Sequence, residues 1–308
     1  MLETPLSSTN PIQFDGIPSP FLSGNENVAY RDPCGHFHDG VFRVWHTLIR
    51  GRAGSNWVAV TAVVESRDLI NWSEPRPVTR EGRAFNYSSP GNVIRFGGAW
   101  VMCLQTYPGT GGKPGDNTAR IFTMVSSDLK TWTEPRLLRV KGPEVARKEM
   151  GRMIDPYLIE DKDDRGTWWC FYKQNGASMS WSRDLHTWTF ARRVDAGENV
   201  CLLVEHDEYI MFHSPENGVG IKRSRNLEEW TDHGLLTLGQ KEWNWAAGRV
   251  TAGHVLDLRR EPGVGKYVMF FHGSSREGRD IQEIHGHASL GIAWSDDLEH
   301  WGWPGSRS

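Results

Sequence analysis

Apolar and polar residues alternate along the chain in short segments that recur five times. In each recurrence, a first apolar segment precedes one that is dense in aromatic and β-branched residues, and a third then ends in a turn. The dense segments are VFRVWHT (41–47), AWVMCLQTY (99–107), TWWCFYK (167–173), EYIMFHS (208–214) and KYVMFFH (266–272). Such segments, bounded by glycine, aspartate or asparagine, are typical of β-strands. No helical period of comparable length competes with them, so the pattern predicts an all-β chain.

The third segment of each repeat runs into the pattern SxDLxxW, with Asn226 in place of the aspartate in the fourth copy. Its copies end at Trp72, Trp132, Trp188, Trp230 and Trp301. These tryptophans are 60, 56, 42 and 71 residues apart, which suits four-stranded antiparallel propeller blades with loops of different lengths. The serine and aspartate are expected to bond backbone N–H groups of a turn, while leucine and tryptophan pack between blades. The motif is therefore interpreted as structural, and the chain as one five-bladed β-propeller domain over residues 1–308.

The fifth blade raises the question of how the ring closes. Only GWPGSRS follows Trp301, which is too short to provide an outer strand for this blade. The N-terminal segment PIQFDGIPSPF (11–21) is predicted to supply that strand. It would cover an edge that otherwise invites aggregation.

Composition and charge exclude several classes of function. The net charge is −3 and basic residues are mixed with acidic ones, so neither nucleic acid nor an anionic membrane is an expected partner. The 15 tryptophans, 33 glycines and 16 prolines agree with short strands and turns. The sequence as written has no signal-peptide pattern and no apolar run of roughly 20 residues. It predicts a cytoplasmic protein, or a periplasmic or secreted one if a signal peptide has been removed. The four cysteines form no CxxC pair and are interpreted as buried thiols.

Three carboxylates stand at similar places in the repeat, about 13 to 16 residues before the centre of the second strand. They are Asp32 in YRDP, Asp155 in MIDP and Glu198 in AGENV, while blade five has His254 and blade two has the acid-free YSSPGN (87–92). The innermost strands of a propeller surround a central channel, so these side chains are expected to converge on one funnel. An isolated charge is costly to bury there. Three carboxylates from three blades therefore indicate a shared chemical role.

Longer segments around these residues resemble a known group of enzymes. RDPCGHFHDGVFRVW, IDPYLIEDKDDRGTWWCFYK and GHVLDLRREPGVGKYVMFFHG are similar to segments of the five-bladed propeller glycosidases, chiefly glycoside hydrolase family 43 and its relatives, families 32 and 117. The resemblance implies hydrolysis of a neutral oligo- or polysaccharide, such as an α-L-arabinofuranoside or a β-xyloside. It also implies that Asp32 is the general base, that Glu198 is the general acid, and that Asp155 orients the acid and adjusts its pKa.

Some features of the reaction stay open. Family 43 implies inversion and family 32 retention, with Asp32 then acting as the nucleophile. The NDPNG-like motif and the Glu–Cys pair of family 32 are absent, because Asp32 follows Arg31 and Glu198 precedes Asn199. The raised pKa is assigned to Glu198, whose neighbours in AGENVCLLV are the more apolar. Family 43 usually has Gly-Pro after its glutamate, so Glu216, predicted on an outer loop, is a rival acid.

Sugar sites also need flat apolar faces and fixed hydrogen-bond donors. The candidates for substrate binding are Trp45, Tyr87, Asn92, Trp243, Trp245, Arg249 and His254. His254 is a candidate for holding a metal through water or, by resemblance to family 117, for acting as the acid. The glycine-rich loop TGGKPGDN (110–117) lacks the order of a phosphate loop and is predicted to be a mobile rim. No cofactor is expected to be required, although a structural calcium ion in the central channel is compatible with the resemblance.

Three other functions compete with hydrolysis. A non-catalytic carbohydrate-binding propeller needs aromatic faces and amides but no aligned trio of acids. A sialidase carries a repeated SxDxGxxW box, which none of the five copies matches, and generally needs six blades and an arginine triad. A protein-interaction propeller also stays open, because a fold does not determine a function.

Overall fold

The strands of the protein form five antiparallel sheets that follow one another along the chain. The computed structural model describes residues 11–51, 58–81, 85–108, 118–276 and 287–306. Each sheet is one blade, and in four of the five its strands lie side by side in chain order. The first strand of the fifth blade contacts those of the first and fourth blades, the first strand of the third blade contacts that of the fourth, and it also contacts the second blade. This arrangement places the starts of the first strands around the centre.

The strands have the following bounds. The first blade contains β1 (Val28–His38), β2 (Val41–Arg50), β3 (Val58–Ser66) and β4 (Arg76–Pro77). The second contains β5 (Phe85–Ser88), β6 (Val93–Phe96), β7 (Ala99–Pro108), β8 (Ile121–Ser126) and β9 (Arg136–Leu137). The third contains β10 (Ile154–Glu160), β11 (Trp168–Lys173), β12 (Ala177–Ser182) and β13 (Thr189–Val194). The fourth contains β14 (Glu198–Glu205), β15 (Glu208–Ser214), β16 (Val219–Ser224) and β17 (Thr231–Leu236). The fifth contains β18 (Arg249–Asp257), β19 (Tyr267–Ser274), β20 (Ser289–Ser295) and β21 (Trp301–Gly302).

The predicted five-bladed β-propeller is confirmed. The five dense aromatic segments all form second strands, namely β2, β7, β11, β15 and β19. One blade departs from the common plan, because its inner strand is broken into β5 and β6, which both pair with β7. The break contains Pro90 and Gly91, residues that weaken or interrupt a ladder of backbone hydrogen bonds.

The repeated SxDLxxW motif is the turn after the third strand, as predicted. In the first copy the Oγ of Ser66 accepts the N–H of Leu69 at 2.9 Å, and Oδ1 of Asp68 accepts the N–H of Ile70 at 2.9 Å. The indole of Trp72 donates to the carbonyl of Leu69 at 3.0 Å. Serine bonds of the same kind occur in the other four copies. The serine and aspartate thus replace the backbone partners that the turn removes.

The leucine of the motif explains why the turn is kept. All five leucines have a positive φ, between 57° and 68°. A left-handed backbone costs a residue with a side chain about 1–2 kcal/mol. Each leucine is also buried, which stabilises the folded state by about 1.5–3 kcal/mol. Burial therefore offsets the backbone strain, and glycine, which would relieve the strain, would lose the packing.

The outer edge of the fifth blade is covered by two segments. β21, inside the last motif, pairs with β20 at Trp294 and Ser295, so the expectation that no residues remain for an outer strand is wrong. At the other end of β20, Leu22 forms an isolated antiparallel bridge with Leu290. Residues 11–21, all within the described part of the chain, contain a 3-10 helix over Phe14–Gly16 and no strand. The N-terminal segment therefore contributes a bridge in place of the predicted closing strand.

The four cysteines are free and buried, in agreement with their interpretation as thiols. Burial raises the pKa of the Cys34 thiol well above its usual value, and burial raises that of Cys103 to about 12, so both are neutral. Within the described ranges, the protein has no helix of the length and apolarity that a membrane span requires.

The motif leads to a testable prediction about acid stability. Hydrogen bonds from the N–H groups of Thr187 and His186 lower the pKa of Asp184 to about 2, so its contribution to stability is complete above about pH 4 and is lost as the pH falls towards 2. Asn226 makes the same bonds without a charge. We expect Asp184→Asn to lose less stability than the wild type between about pH 5 and about pH 3, as measured by urea unfolding. Asn226→Asp is the reciprocal control and should lose more. Equal pH dependence in all three proteins would contradict this account.

Candidate functional site

Each inner strand carries an irregularity near its start. In four blades the pairing with the second strand shifts, between Arg31 and Cys34, Ile154 and Tyr157, Glu198 and Cys201, and Thr251 and His254. In the second blade, the break between β5 and β6 takes the same place. One residue of each irregularity has a positive φ, here called the bulge residue: Asp32 (49°), Ser89 (43°), Asp155 (51°), Asn199 (49°) and Ala252 (56°). The positive φ is unfavourable for these residues, so the contacts around each bulge residue must stabilise this backbone conformation.

Hydrogen bonds between blades hold these bulge residues. The N–H of Ser89 donates to Oγ1 of Thr47 at 2.8 Å, and the N–H of Asp155 donates to Oε1 of Gln105 at 2.6 Å. Two further links have the same pattern, from Ala252 to Oγ of Ser214 at 2.8 Å and from Asp32 to Nδ1 of His272 at 3.0 Å. In every case the acceptor lies near the end of the second strand of the preceding blade. These links orient the first strands of neighbouring blades relative to one another.

The five bulge residues surround one funnel at the centre of the ring. The free space between them, including space that is open to solvent, is about 300 Å³. The walls are formed by the bulge residues and the one or two residues that follow each of them: Asp32, Pro33, Ser89, Pro90, Gly91, Asp155, Pro156, Asn199, Val200, Cys201, Ala252, Gly253 and His254. The structure thus brings Asp32, Asp155 and His254 together, as expected from the sequence.

Asp32 is held as a carboxylate. Its Oδ2 accepts hydrogen bonds from Oγ1 of Thr47 at 3.0 Å and from Oγ of Ser89 at 2.8 Å. Burial alone would raise the pKa of Asp32, but the positive charge of Arg31 and the two hydroxyl groups outweigh it and leave the pKa below its usual value, and a protonated His272 would lower it further. Nδ1 of His272 lies 3.7 Å from Oδ1 of Asp32 but accepts the Asp32 N–H, so it carries no proton in this arrangement. The lowering therefore rests on Arg31 and the hydroxyl groups.

Asp155 has the opposite character. Burial raises the pKa of Asp155 well above its usual range, and the negative charges of Glu198 and Asp32 raise it further. The side chain is 7% exposed, so water does little to screen these effects. The raised pKa that the sequence assigned to Glu198 is therefore found on Asp155. The funnel holds one carboxyl group that favours its charged form and another that keeps a proton.

Glu198 lies beside the funnel, outside the set of residues that line it. It is the first residue of β14, is half-buried, and pairs with Ser214. The residue of the fourth blade that is equivalent to Asp32 and Asp155 is Asn199, so the sequence comparison was displaced by one residue in this blade. Glu198 takes the place of Arg31 and Ile154. Its charge still reaches Asp155, since it raises the pKa of that residue.

Two of the predicted substrate-binding residues have side chains that are buried in contacts between blades. Trp45 is fully buried and meets Trp132 edge to face at 5.8 Å between ring centroids, so its ring is closed to a ligand. Asn92 is buried, and its amide joins the second and third blades through the carbonyl of Leu158 at 2.7 Å and the N–H of Leu158 at 2.9 Å. Both residues are corrected to structural roles.

Four other candidates lie away from the described lining of the funnel. Tyr87 packs edge to face on Phe122. Trp245 is stacked on Trp243 at 5.2 Å in the core between the fourth and fifth blades. Arg249 begins β18. Their predicted contacts with substrate stay predictions.

The rival acid Glu216 lies in the turn that connects β15 and β16 and is likewise not among the described lining residues. That turn is bound to the start of the fifth blade by Asn217, whose Oδ1 accepts the N–H of Val250 at 3.0 Å. The loop 110–117 cannot be placed against the funnel, because all of its residues lie outside the described ranges.

His254 lines the deep part of the funnel and is neutral. Burial lowers its pKa to about 4, against smaller opposing contributions from the backbone of Gly35 and Gly91. In the described part of the chain, no group of three or more His, Cys, Asp or Glu side chains is arranged to hold a metal ion. A calcium ion in the channel stays a prediction that rests on the resemblance.

Sequence reasoning missed the residues that support Asp32 and the bulges. Thr47, Gln105, Ser214 and His272 all lie near the ends of second strands, opposite the residue before each bulge residue. Polar residues at the end of otherwise apolar strands were the available signal. Ser89 was missed because the second blade was examined only for an acid.

Comparisons with known proteins come from structure alone. No family model matches the chain, and no curated protein matches it in sequence. An exo-1,5-α-L-arabinanase from a bovine ruminal metagenomic library is 18% identical, with a TM-score of 0.62 over 90% of this chain and 97% of that one. A native arabinanase of Bacillus subtilis is 15% identical, with a TM-score of 0.64 over 91% and 99%. A family 117 glycoside hydrolase of the marine bacterium Zobellia galactanivorans is 13% identical, with a TM-score of 0.65 over 92% and 91%. At these identities the likeness establishes a common fold.

The inter-blade links can be tested at Gln105. Replacing it by Leu leaves the buried N–H of Asp155 without its acceptor, and we expect the free energy of unfolding to fall by about 2 kcal/mol. Urea unfolding followed by tryptophan fluorescence measures the change. The same exchange at the exposed Gln13 is the control and should change stability by less than about 0.5 kcal/mol. Equal stabilities of the two variants would show that the link has little structural weight.

Proposed function

We propose that the protein is a glycoside hydrolase that uses acid and base catalysis. The observation that carries this proposal is the convergence of carboxyl groups with opposite proton affinities on one funnel, Asp32 charged and Asp155 protonated, with Glu198 beside them. Hydrolysis of a glycosidic bond needs such a pair, one group to activate water and one to protonate the leaving oxygen. The structures with the same fold that are named as glycoside hydrolases support the proposal.

Asp32 is the proposed general base. Its carboxylate removes a proton from water, and the water oxygen then attacks the anomeric carbon as the bond to the leaving oxygen breaks. The hydrogen bonds from Thr47 and Ser89 fix the position of Oδ2, which leaves Oδ1 to face the water. Because its pKa is lowered, Asp32 stays charged to a lower pH than an ordinary aspartate. We therefore expect the acid limb of the pH profile of kcat/KM to lie below the range in which an ordinary aspartate titrates.

Asp155 and Glu198 together are the proposed source of the proton for the leaving oxygen. Two carboxyl groups whose charges repel hold one proton between them over a wide pH range, and that proton belongs to the pair. Asp155 is the more buried and holds the proton in the absence of substrate, whereas Glu198 is the more exposed and nearer the route to solvent. Glu198 thus donates to the leaving group, and Asp155 maintains the supply and adjusts the proton affinity of Glu198.

The proposed substrate is a glycan with a neutral terminal sugar, such as an α-L-arabinofuranoside or a β-xyloside, and the proposed outcome is inversion. Incubation with a panel of nitrophenyl furanosides and pyranosides should release nitrophenol. Proton NMR at the earliest times should detect the inverted sugar. Asp32→Asn should lower kcat by about 10²–10⁴-fold. Retention would make Asp32 the nucleophile instead. Absence of release with binding intact would favour a non-catalytic carbohydrate-binding protein.

The division of labour between the acids has its own test. Glu198→Gln should slow alkyl glycosides far more than dinitrophenyl glycosides, because a dinitrophenolate leaves with little help from a proton. Asp155→Asn should slow both and move the alkaline limb of the pH profile to lower pH, since it removes the carboxyl group whose pKa is raised. Glu216→Gln is the matched control and should leave both rates within about twofold. If Glu216→Gln showed the leaving-group dependence, the acid would be Glu216.

A further inference from the structure

The five junctions between blades differ at one place. At four of them the bulge residue donates its N–H to a side chain near the end of the preceding second strand: Thr47, Gln105, Ser214 or His272. At the junction between the third and fourth blades, the equivalent residue is Lys173, which pairs with Ile154 at the end of β11. A lysine ammonium group has three donors and no acceptor, so it cannot take this role. The N–H of Asn199 accordingly donates to no side chain among the described residues.

Lys173 is half-buried, yet its ammonium group is not used within the protein. Its side chain forms no hydrogen bond and no ion pair with any residue that the structure describes. Its charge reaches the fourth blade, since burial lowers the pKa of His213 to about 4 and Lys173 is among the charges that contribute. His213 accepts the N–H of Gly197, the residue before Glu198, at 3.0 Å. Because Lys173 has the same register as the four acceptors, which contact the bulge residue of the next blade, its side chain lies on the side of the third blade that meets Asn199, the neighbour of Glu198.

A second cation lies on the same blade. Arg152 stands two residues before Ile154, and its charge acts on Asp155 by opposing the rise of its pKa. Its guanidinium group also forms no ion pair with a described residue, while its carbonyl accepts a bond from Gln174 at 2.9 Å. The region next to Glu198 thus has two cations, Lys173 and Arg152, that form no ion pair with a described residue, although the net charge of the chain is −3.

We propose that Lys173 is a specificity-determining residue that binds an anionic group, a carboxylate or a sulfate ester, on the leaving-group sugar of the substrate. This inference rests on the proposed function, because Glu198 protonates the leaving oxygen and the sugar that departs must therefore lie beside it. The neutral terminal sugar would occupy the funnel, and an acidic sugar of the polymer would meet Lys173. A half-buried ammonium group gains more from such a partner than an exposed one, because water screens it less.

The replacement of an acceptor by a lysine at this position supports a functional role. The other four junctions keep a hydrogen bond that Lys173 gives up, so the third and fourth blades are joined by other contacts, such as the bond from the Tyr157 hydroxyl to the carbonyl of Leu202 at 3.0 Å. Lys173→Gln would place at this junction the same residue type as Gln105, which accepts the N–H of Asp155 at 2.6 Å. We expect this variant to restore the missing link and to melt at a temperature equal to or above that of the wild type.

The test compares disaccharides that differ in one group. The glycone is the sugar that the nitrophenyl panel identifies, and the leaving sugar is galactose, galacturonic acid or galactose 6-sulfate. We expect kcat/KM of the wild type to be about tenfold higher for one or both acidic sugars than for galactose. This factor corresponds to one charge-assisted hydrogen bond that the neutral sugar cannot form. The preference should decline with added salt, because salt screens the charges. Lys173→Met and Lys173→Gln should abolish the preference, and Lys173→Arg should retain most of it. Lys130→Met, at an exposed position in the second motif, is the matched control and should keep it.

Binding separates this inference from the proposed function. Calorimetry with trigalacturonate and with a neutral galactose trisaccharide measures recognition of the anion whether or not the protein is an enzyme. Tighter binding of trigalacturonate that is lost in Lys173→Met, together with no hydrolysis of the nitrophenyl panel, would overturn hydrolysis and retain anion recognition. Hydrolysis without any preference for acidic sugars in rate or binding, or a preference unchanged in the folded Lys173→Gln variant, would overturn the role of Lys173.

Discussion

The hydrogen bond from four of the five bulge residues to the preceding blade is the interaction on which the rest of the structure depends. A residue with positive φ aims its N–H sideways, out of its own sheet, and a polar side chain at the end of the neighbouring second strand accepts it. This contact holds the backbone strain in place, joins one blade to the next, and opens the wall from which Asp32 and Asp155 project into the funnel. The same geometry therefore accounts for the closed ring and for the position of its charged groups.

The electrostatics of the funnel follow from what each bulge residue contacts. Asp32 receives two hydroxyl groups and the field of Arg31, which together overcome burial, whereas Asp155 receives no such bonds to its carboxyl group from the described side chains and meets two negative neighbours. Two aspartates at equivalent places in equivalent strands thus acquire opposite proton affinities from their different neighbours. The repeated strands form the scaffold, and the differences between repeats, such as Thr47 in the first blade and Lys173 in the third, determine the chemistry.

The sequence predicted the features that depend on local periodicity. Strands dense in aromatic residues and the SxDLxxW turn recur in a pattern that few other folds would produce, so the blades could be predicted from the sequence. Features that depend on a shift of one residue in strand register were not predicted. The position of Glu198 differs by one residue from that of Asp32 and Asp155, and no residue propensity indicates where a bulge begins. Burial could not be predicted either. Trp45 and Asn92 are residue types that are common in sugar sites, but their side chains are buried and make contacts between blades. Thr47 and His272 gain their significance only when a neighbouring blade is placed beside them.

The closure of the fifth blade has a consequence for how the chain folds. Gly24 donates its N–H to Oγ of Ser289, 265 residues away in sequence, next to the bridge between Leu22 and Leu290. Each blade is otherwise built from strands that are adjacent in the chain, so its contacts are local and carry little loop-closure entropy. The joining of β20 to the first residues of the ring carries the largest such cost. Assembly therefore proceeds blade by blade, and the transition state is expected to contain an open ring whose last edge is the final part to be covered.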